Sequence, residues 1–221
     1  SAIIWDASTG LRLLTLNDHS YNAWVNSVSW SPDGSKVAIG ASDYICRIWD
    51  AESGTKLMTV GHPAIFSVAW SPDGTKLATG GGDNTCVIWD VASRTKLLTL
   101  QGEWWVTSIA WSPDGTKIAT ACQNKVCLIW DAISGAKFVT LIEHTSFVTS
   151  VSWSPDGTKV ATGSGDSTCI VWDVREATRG ARLLNLRGHT GAVTSVGWSP
   201  DGTTVASGSR DSTCIFWDAL S

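Results

Sequence analysis

The chain has 221 residues, of which 43% are hydrophobic and 16% are charged, a composition typical of a globular protein and not of a disordered or fibrous one. Its formal net charge of −4 argues against nucleic acid or an anionic membrane as a partner. No apolar run reaches the roughly 20 residues of a membrane span, and residues 1–10 lack the pattern of a signal peptide. We therefore expect a cytoplasmic protein that binds neither nucleic acid nor membrane.

The first two predicted strands are residues 2–5 and 12–16, and the first of them ends on the pair Trp5-Asp6. Later Trp-Asp pairs begin at Trp49, Trp89, Trp130, Trp172 and Trp217. A second motif, Trp-Ser-Pro-Asp-Gly, begins at Trp30, Trp70, Trp111, Trp153 and Trp198. The copies of this second motif are spaced by 40, 41, 42 and 45 residues. A period of this length indicates an array of structural repeats, and the chain starts inside one of them.

Each repeat predicts four strands, as residues 148–186 illustrate. Residues 148–153 form a β-branched segment that ends in Ser-Pro-Asp-Gly, the order that a type I turn favours, and residues 159–163 resume an extended pattern. A second turn leads to an apolar third segment, 168–172, and residues 182–186 complete the unit. We call these the inner, second, third and outer strands. The first two carry small side chains, which suits sheets that converge radially on one axis.

The repeat resembles the WD-repeat family, whose members fold as β-propellers. The shared marks are a Gly-His before the inner strand, the Ser-Pro-Asp-Gly turn, an Asp between the second and third strands, and the closing Trp-Asp. The resemblance covers almost every residue and implies an all-β propeller of four-stranded antiparallel blades, with five repeats in a single domain, 1–221. Residues 1–18 are a partial repeat. The five repeat cores are about residues 19–50, 61–90, 102–131, 143–173 and 188–218.

The resemblance also implies a buried polar network in each blade, formed by the His, a Ser or Thr on the second strand, the turn Asp and the Trp. Three repeats offer a complete set. These sets are His62, Thr79, Asp83 and Trp89 in repeat two; His144, Thr162, Asp166 and Trp172 in repeat four; and His189, Ser207, Asp211 and Trp217 in repeat five.

Repeats one and three depart from this pattern. Repeat one keeps His19, Asp43 and Trp49 but carries Ile39 in place of the hydroxyl. Repeat three has Gly102-Glu103-Trp104 where the His is expected, and Asn124 in place of the Asp, although Thr120 and Trp130 remain. Because an incomplete buried network leaves polar groups unpaired, we expect repeat three to be the weakest or most specialised blade.

The pattern predicts 21 strands, one more than five four-stranded blades need. We expect the outer strand at residues 12–16 to close the last blade beside residues 214–217, within one chain. The surplus strand at residues 2–5 then detaches or replaces its C-terminal twin. Two alternatives stay open: strand exchange between chains, which makes a homo-oligomer, or membership of a larger ring or assembly.

Five of the six cysteines occupy one repeated position, three residues before a Trp-Asp pair. Repeated positions are held apart by the repeats themselves, so we expect no disulfides. We interpret Cys46, Cys86, Cys127, Cys169 and Cys214 as small buried apolar residues in a reducing compartment. Cys122 alone lies off the pattern.

The sequence does not indicate an enzyme. A His-Asp-hydroxyl set that recurs three times at one repeat position is typical of a packing device, whereas a catalytic triad is a single constellation. The His and Cys residues lack the close pairs of a metal site, and the turn aspartates lack the oxygen ligands that calcium needs. We therefore expect no catalytic residues, no metal and no cofactor.

Aromatic residues outside the repeated positions give the strongest indication of function. In the family, the residue six places before the inner-strand Trp, and the residue before the turn Asp, tend to lie on the face around the central channel where partners bind. Together with neighbouring aromatics, the predicted partner-binding face is Trp24, Phe66, Trp104, Trp105, Gln123, Phe147 and Arg210. Arg210 is the one charge at these positions and could hold an acidic group.

Large exposed aromatics are enriched at binding hot spots, although the same side chains could plug the channel or pack between blades. The sequence thus predicts a non-catalytic scaffold that binds other proteins or peptides. The alternative is a structural module that assembles with copies of itself by strand exchange.

Overall fold

In a computed structural model, the described part of the chain comprises residues 1–18 and 23–219, and within it the chain forms 21 strands in six antiparallel sheets. His19, expected in the first polar network, lies outside the described residues. The strands are β1 Ala2–Trp5 and β2 Arg12–Leu16; β3 Val25–Trp30, β4 Lys36–Ala41, β5 Ile45–Asp50 and β6 Lys56–Gly61; β7 Ile65–Trp70, β8 Lys76–Gly81, β9 Thr85–Asp90 and β10 Thr95–Gln101; β11 Val106–Trp111, β12 Lys117–Cys122, β13 Val126–Asp131 and β14 Lys137–Ile142; β15 Val148–Trp153, β16 Lys159–Ser164, β17 Thr168–Asp173 and β18 Ala181–Arg187; and β19 Val193–Trp198, β20 Thr204–Ser209 and β21 Cys214–Asp218. The predicted strand number and the four-stranded unit are confirmed. No helix that could cross a membrane occurs in this part of the chain.

The turn between inner and second strands is held by its own Asp. In the second repeat, the Ser71 hydroxyl donates to Asp73 across 2.5 Å, and the Thr75 N–H donates to the same carboxylate across 3.0 Å. Gly74 has a φ of +69°, a backbone conformation that side chains disfavour. These hydrogen bonds, led by the one from Ser71, lower the pKa of Asp73 to about 2. The turn geometry therefore accounts for the recurring Ser-Pro-Asp-Gly.

Successive sheets pack face to face through their inner strands, β3 on β7, β7 on β11, β11 on β15 and β15 on β19. The core lies between the sheets and is built mainly from the second and third strands of one sheet and the inner strand of the next. Between the first two complete sheets, Ala38, Cys46 and Ile48 contact Ile65 and Val68. The alternation of small and large side chains thus gives stacked blades.

The closing contact expected of residues 12–16 is not observed. β2 pairs with β1, with Ala2 opposite Leu16 and Trp5 opposite Arg12, and the last sheet contains β19, β20 and β21 among the described residues. The β1–β2 hairpin instead packs on the first complete sheet, where Ile4 and Leu16 are buried. The prediction of a last blade closed by β2 was therefore wrong for this structure.

The physical reason is that β1 and β2 are joined by a short turn, so their pairing costs little loop entropy. The Asp6 carboxylate accepts hydrogen bonds from the backbone N–H groups of Ser8 and Thr9, at 2.9 and 2.8 Å. The local hairpin is therefore favoured by loop entropy over pairing of β2 with β21, which lies almost the whole chain away.

Candidate functional site

Blades four and five contain the same four-membered polar chain. The indole N–H of Trp172 donates to the Thr162 hydroxyl across 2.8 Å, and that hydroxyl lies 2.8 Å from His144 Nε2. His144 Nδ1 in turn lies 2.9 Å from the Asp166 carboxylate. In blade five, the corresponding three distances are all 2.8 Å, along Trp217, Ser207, His189 and Asp211.

Blade two uses the same residue types with the imidazole reversed. His62 places Nδ1 2.8 Å from Thr79, while its Nε2 lies 3.0 Å from Asp83 and 2.9 Å from Thr85. Trp89 still donates to the Thr79 hydroxyl, across 2.9 Å. The sequence contained no signal for this reversal, because both nitrogens of a histidine ring can serve either partner.

The networks of blades two and four hold neutral histidines. Burial lowers the pKa of His62 and His144 below the ordinary value of 6.5, and this effect exceeds the opposing attraction of Asp83 and Asp166. The hydroxyls of Thr79 and Thr162 are completely buried and already accept an indole N–H. A hydroxyl in this position has no path to a substrate, so the geometry supports packing and not nucleophilic attack.

Blade one lacks the hydroxyl, and Ile39 fills its place in the core. The buried indole nitrogen of Trp49 has no hydrogen-bond acceptor within residues 1–18 and 23–219. On the same strand, the buried Arg47 forms an ion pair with Asp43 across 2.9 Å. In the first blade the turn Asp therefore pairs with an arginine of the third strand.

Blade three keeps the Trp130–Thr120 hydrogen bond, at 2.9 Å, but lacks the histidine. A cavity of about 190 Å³ lies where the network is missing, and it is lined in part by Glu103, Asn124 and Lys137. The buried Oδ1 atom of Asn124 has no partner in the described part of the chain. Blade three thus keeps one hydrogen bond of the network and leaves one buried oxygen without a partner among the described residues.

All six cysteines are free thiols, and four of the five repeated ones are buried. Cys214 is the exception, because it is exposed. Its strand, β21, is the last strand of the three-stranded sheet, and within residues 1–18 and 23–219 neither an outer strand nor a following blade covers it. The expectation that all five would be buried was therefore wrong for Cys214. The groups of three or more His, Cys, Asp or Glu side chains that a metal needs do not occur among the described residues.

One edge of the sheets carries the predicted partner-binding residues. At this edge, which we call the rim, each inner strand begins and each second strand ends. A backbone hydrogen bond of 2.9–3.1 Å joins the two strand ends in each blade. The residues so paired are Trp24 with Ser42, Ala64 with Gly82, Trp105 with Gln123, Phe147 with Gly165, and Ala192 with Arg210.

Two aromatic residues of the rim contact each other. The rings of Phe66 and Trp105, from adjacent blades, have centroids 5.8 Å apart and are tilted by 35°. Phe66 is half-buried, whereas Trp105 is exposed. The pair therefore offers an apolar surface that spans two blades.

A glycine makes room for one of the rim aromatics. A Cβ at Gly165 would lie 2.8 Å from the Phe147 ring, whereas a Cβ at Gly82 would be in ordinary contact with Phe66, at 3.5 Å, and would instead crowd Ala64, at 2.9 Å. This role was not predicted from the sequence, although the signal was present, since Gly165 stands directly before the turn Asp166. The bare backbone at Gly165 leaves space for the Phe147 ring.

The other predicted rim residues are exposed but are not all in contact. The side chain of Trp24 is 77% exposed, and the backbone N–H of Trp24 donates to the Ser42 hydroxyl across 2.8 Å. Trp104, Gln123 and Arg210 are exposed. Among the aromatic residues of the predicted partner-binding face, Phe66 and Trp105 are the two whose rings contact each other in the described part of the chain.

Two family models match the chain. The model described as "Echinoderm microtubule-associated protein second beta-propeller" matches residues 65–221, which is more than half of the chain. The model described as "WD domain, G-beta repeat" matches residues 10–50.

Curated proteins that resemble the chain do so over short segments. A "Cell division cycle 20.1, cofactor of APC complex" protein of Arabidopsis thaliana is 38% identical over 63 residues, 27% of this chain and 13% of the relative. A "Nuclear distribution protein PAC1" of Arthroderma benhamiae is 42% identical over 62 residues, again 27% of this chain and 13% of the relative. An "Eukaryotic translation initiation factor 3 subunit I" of Danio rerio is 39% identical over 56 residues, 25% and 17% of the two chains. The matched part of this chain thus spans less than a fifth of each of these relatives.

Proposed function

Since this chain belongs to the family of WD-repeat β-propellers, we propose that it is a non-catalytic scaffold that binds proteins or peptides at the rim. WD-repeat propellers commonly mediate protein interactions, and the rim provides a surface suited to that task. The observation that carries the proposal is the ring contact between Phe66 and Trp105 across two blades. Exposed aromatic side chains on the same edge flank this contact: Trp24, Trp104 and Phe147.

The chemistry of the rim favours a peptide segment with apolar side chains. Aromatic residues bury a large area at low entropic cost, which explains their enrichment at hot spots. Arg210 adds a guanidinium at the same edge, where it can pair with an acidic side chain. The proposed ligand is therefore an extended segment that presents apolar residues to Trp105 and Phe66 and a carboxylate to Arg210.

The relatives agree with a role in assemblies. The Arabidopsis protein is named as a cofactor of a complex, and the zebrafish protein is named as a subunit. For this chain we propose a cytoplasmic location and a single propeller domain, in which the His-containing networks stabilise the blades. The self-assembling alternative is carried by a different surface, the outward sides of the first and last complete sheets.

The test is selection of peptides from a random displayed library against the intact chain, followed by calorimetric titration of the synthetic peptides. We expect Trp105→Ala and Phe66→Ala each to weaken binding at least about tenfold. The matched control is Ile133→Ala, since Ile133 is 81% exposed and lies in the turn beside Thr116, at the opposite edge of the sheets.

Selected peptides that bind Trp105→Ala and the unchanged chain equally well would contradict the proposed site. A loss of peptide affinity in Ile133→Ala equal to that in Trp105→Ala would also contradict the proposed site. Cleavage or modification of the peptides by the unchanged chain would contradict the non-catalytic role.

A further inference from the structure

The two end sheets of the array expose opposite halves of one repeated interface. Each interior boundary joins a sheet to the next through the inner strands, and the chain makes this boundary four times, from β3–β6 to β19–β21. We call the outward side of β3 the first end face and the outward side of β19 and β20 the last end face.

Two hydrogen bonds recur at every interior boundary. A serine hydroxyl of one inner strand accepts a backbone N–H from the next, at 3.1–3.4 Å. A carbonyl two residues later accepts the indole N–H of the next inner-strand Trp, at 3.1–3.2 Å. At the first boundary these groups are Ser27 with Val68, and Ser29 with Trp70.

The packing of side chains at the interior boundaries repeats as the hydrogen bonds do. A Cβ at Gly40 would lie 2.6 Å from Ile65, one at Gly80 would lie 2.5 Å from Val106, and one at Gly163 would lie 2.6 Å from Val193. Each of these glycines therefore forms a hollow that receives a β-branched side chain of the next inner strand. In the turns, a proline of one repeat likewise contacts a glycine of the next, as Pro155 contacts Gly202.

The last end face carries the receiving half of this interface, and no described residue occupies it. Among the residues that the structure describes, a Cβ at Gly208, the counterpart of Gly163, would have only the Thr194 hydroxyl within 4 Å, at 4.0 Å. Thr149 donates both to Gly163 O in its own sheet and to Val193 O in the next, while Thr194 donates to Gly208 O. Ser195 and Gly197 present the hydroxyl and the carbonyl that the earlier boundaries use.

The first end face carries the inserting half. Val28 is 55% exposed and Trp30 is 50% exposed, whereas Val68, the counterpart of Val28 in the next sheet, is 4% exposed. A Cβ at Gly34 would meet no described residue within 4 Å, whereas a Cβ at its counterpart Gly74 would lie 3.5 Å from Pro32.

We propose that the last end face binds the first end face of a second copy of this chain, head to tail. The occupant is inferred from complementarity between the two faces. The hollow at Gly208 matches the side chain of Val25, and the Ser195 hydroxyl matches the backbone N–H of Val28. The carbonyl of Gly197 matches the indole N–H of Trp30. Two different surfaces of one molecule that fit each other make a heterologous contact between copies. The proposal concerns a surface other than the rim and does not depend on peptide binding there.

The N-terminal hairpin decides how the two copies join. β1 and β21 are equivalent third strands, and the register of β1 on β2 repeats that of β5 on β6, including the shift before the Trp. In the assembly, β2 of the incoming copy therefore pairs with β21 as its fourth strand, and β1 is displaced. This exchange also covers Cys214 and the exposed Phe216.

The test uses two variants, each of which blocks one face. Gly208→Leu fills the hollow of the last end face, and Val28→Glu places a charge on the first. We expect each variant to be monomeric in sedimentation velocity, with association weakened at least about tenfold relative to the unchanged chain. A mixture of the two retains one intact pair of faces, so we expect a one-to-one dimer that grows no further.

Gly61→Leu is the matched control, because Gly61 lies on the outer strand β6 and a Cβ there meets nothing within 4 Å. Its association should equal that of the unchanged chain. Deletion of residues 1–6 removes the competing strand β1 and should strengthen association. Melting of the dilute variants by circular dichroism checks that each one folds.

Three outcomes would overturn the proposal. One is an unchanged chain and a deletion variant that both stay monomeric at every concentration, which would assign the two faces to closure within one chain or to further repeats in cis. The second is association that survives Gly208→Leu in full. The third is a mixture of folded Gly208→Leu and Val28→Glu that remains monomeric.

Discussion

Trp172 donates its indole N–H to the hydroxyl of Thr162 across 2.8 Å, at a site where both side chains are almost completely buried. Trp49 occupies the equivalent position in blade one, but its indole nitrogen is buried without an acceptor among residues 1–18 and 23–219. The two tryptophans therefore offer a matched pair: the same substitution removes a hydrogen bond at Trp172 and, at Trp49, a donor that has no acceptor in the described part of the chain.

We expect Trp172→Phe to lower the free energy of unfolding by about 1–3 kcal/mol more than Trp49→Phe does, as measured by urea denaturation. Both changes remove a similar volume, so the difference reports on the hydrogen bond to Thr162. Equal losses in the two variants would show that this bond adds no stability.

The stability of the protein should fall on acidification through the range of histidine titration. Burial lowers the pKa of His62 and His144 below 6.5 in the folded state, so the unfolded chain binds protons first. The contribution of these rings is complete above the ordinary histidine value and is lost as the pH falls through their folded values. Melting temperatures between about pH 8 and pH 5 should therefore decrease, and His144→Gln should reduce the decrease.

A second loss of stability should follow at lower pH, because the turn carboxylates become protonated. Hydrogen bonds, first of all from Ser71 and Ser199, lower the pKa of Asp73 and Asp201 to about 2 from an ordinary 3.8. Their contribution is present above 3.8 and disappears toward 2. A protein that became more stable on acidification from neutral pH would contradict both assignments.

Native-state thiol titration should reveal one fast cysteine. Burial raises the pKa of Cys46 to about 12 and that of Cys169 to about 11, and a buried thiol reacts slowly because little thiolate forms. Cys214 is exposed. A dilute solution treated with a disulfide reagent should therefore show one rapid equivalent, absent from Cys214→Ser, and five more on unfolding. Several rapid equivalents in Cys214→Ser would show that the blades open readily.

Alanine substitutions at two equivalent glycines should show whether a sheet face is covered by a neighbouring sheet. Gly163→Ala places a Cβ 2.6 Å from Val193, and we expect it to lower the free energy of unfolding by about 1–3 kcal/mol. Gly208→Ala, at the equivalent position of the last sheet, places a Cβ no closer than 4.0 Å to any described residue and should leave the stability of the dilute protein almost unchanged. Denaturant titration of both at low concentration gives the comparison. A large loss for Gly208→Ala in a verified monomer would mean that the last face is covered within the chain.

The sequence alone determined the local architecture. The Trp-Ser-Pro-Asp-Gly turns, the Trp-Asp pairs and the small residues of the second strands predicted 21 strands and four-stranded sheets, and the structure has them. These features depend on residues close together in the chain, since a turn and its flanking strands are specified by their own backbone preferences and alternation. The lost hydroxyl at Ile39 was visible for the same reason, because repeats can be compared position by position.

Only the tertiary structure decided what happens where one sheet meets the next. It paired β2 with β1 and not with β21, left Cys214 exposed although its four counterparts are buried, and reversed the ring of His62. It also laid Phe147 on the bare backbone of Gly165 and brought Phe66 against Trp105. Identical motifs acquire different environments because burial depends on which surface lies opposite, and that surface belongs to residues about one repeat, or nearly the whole chain, away.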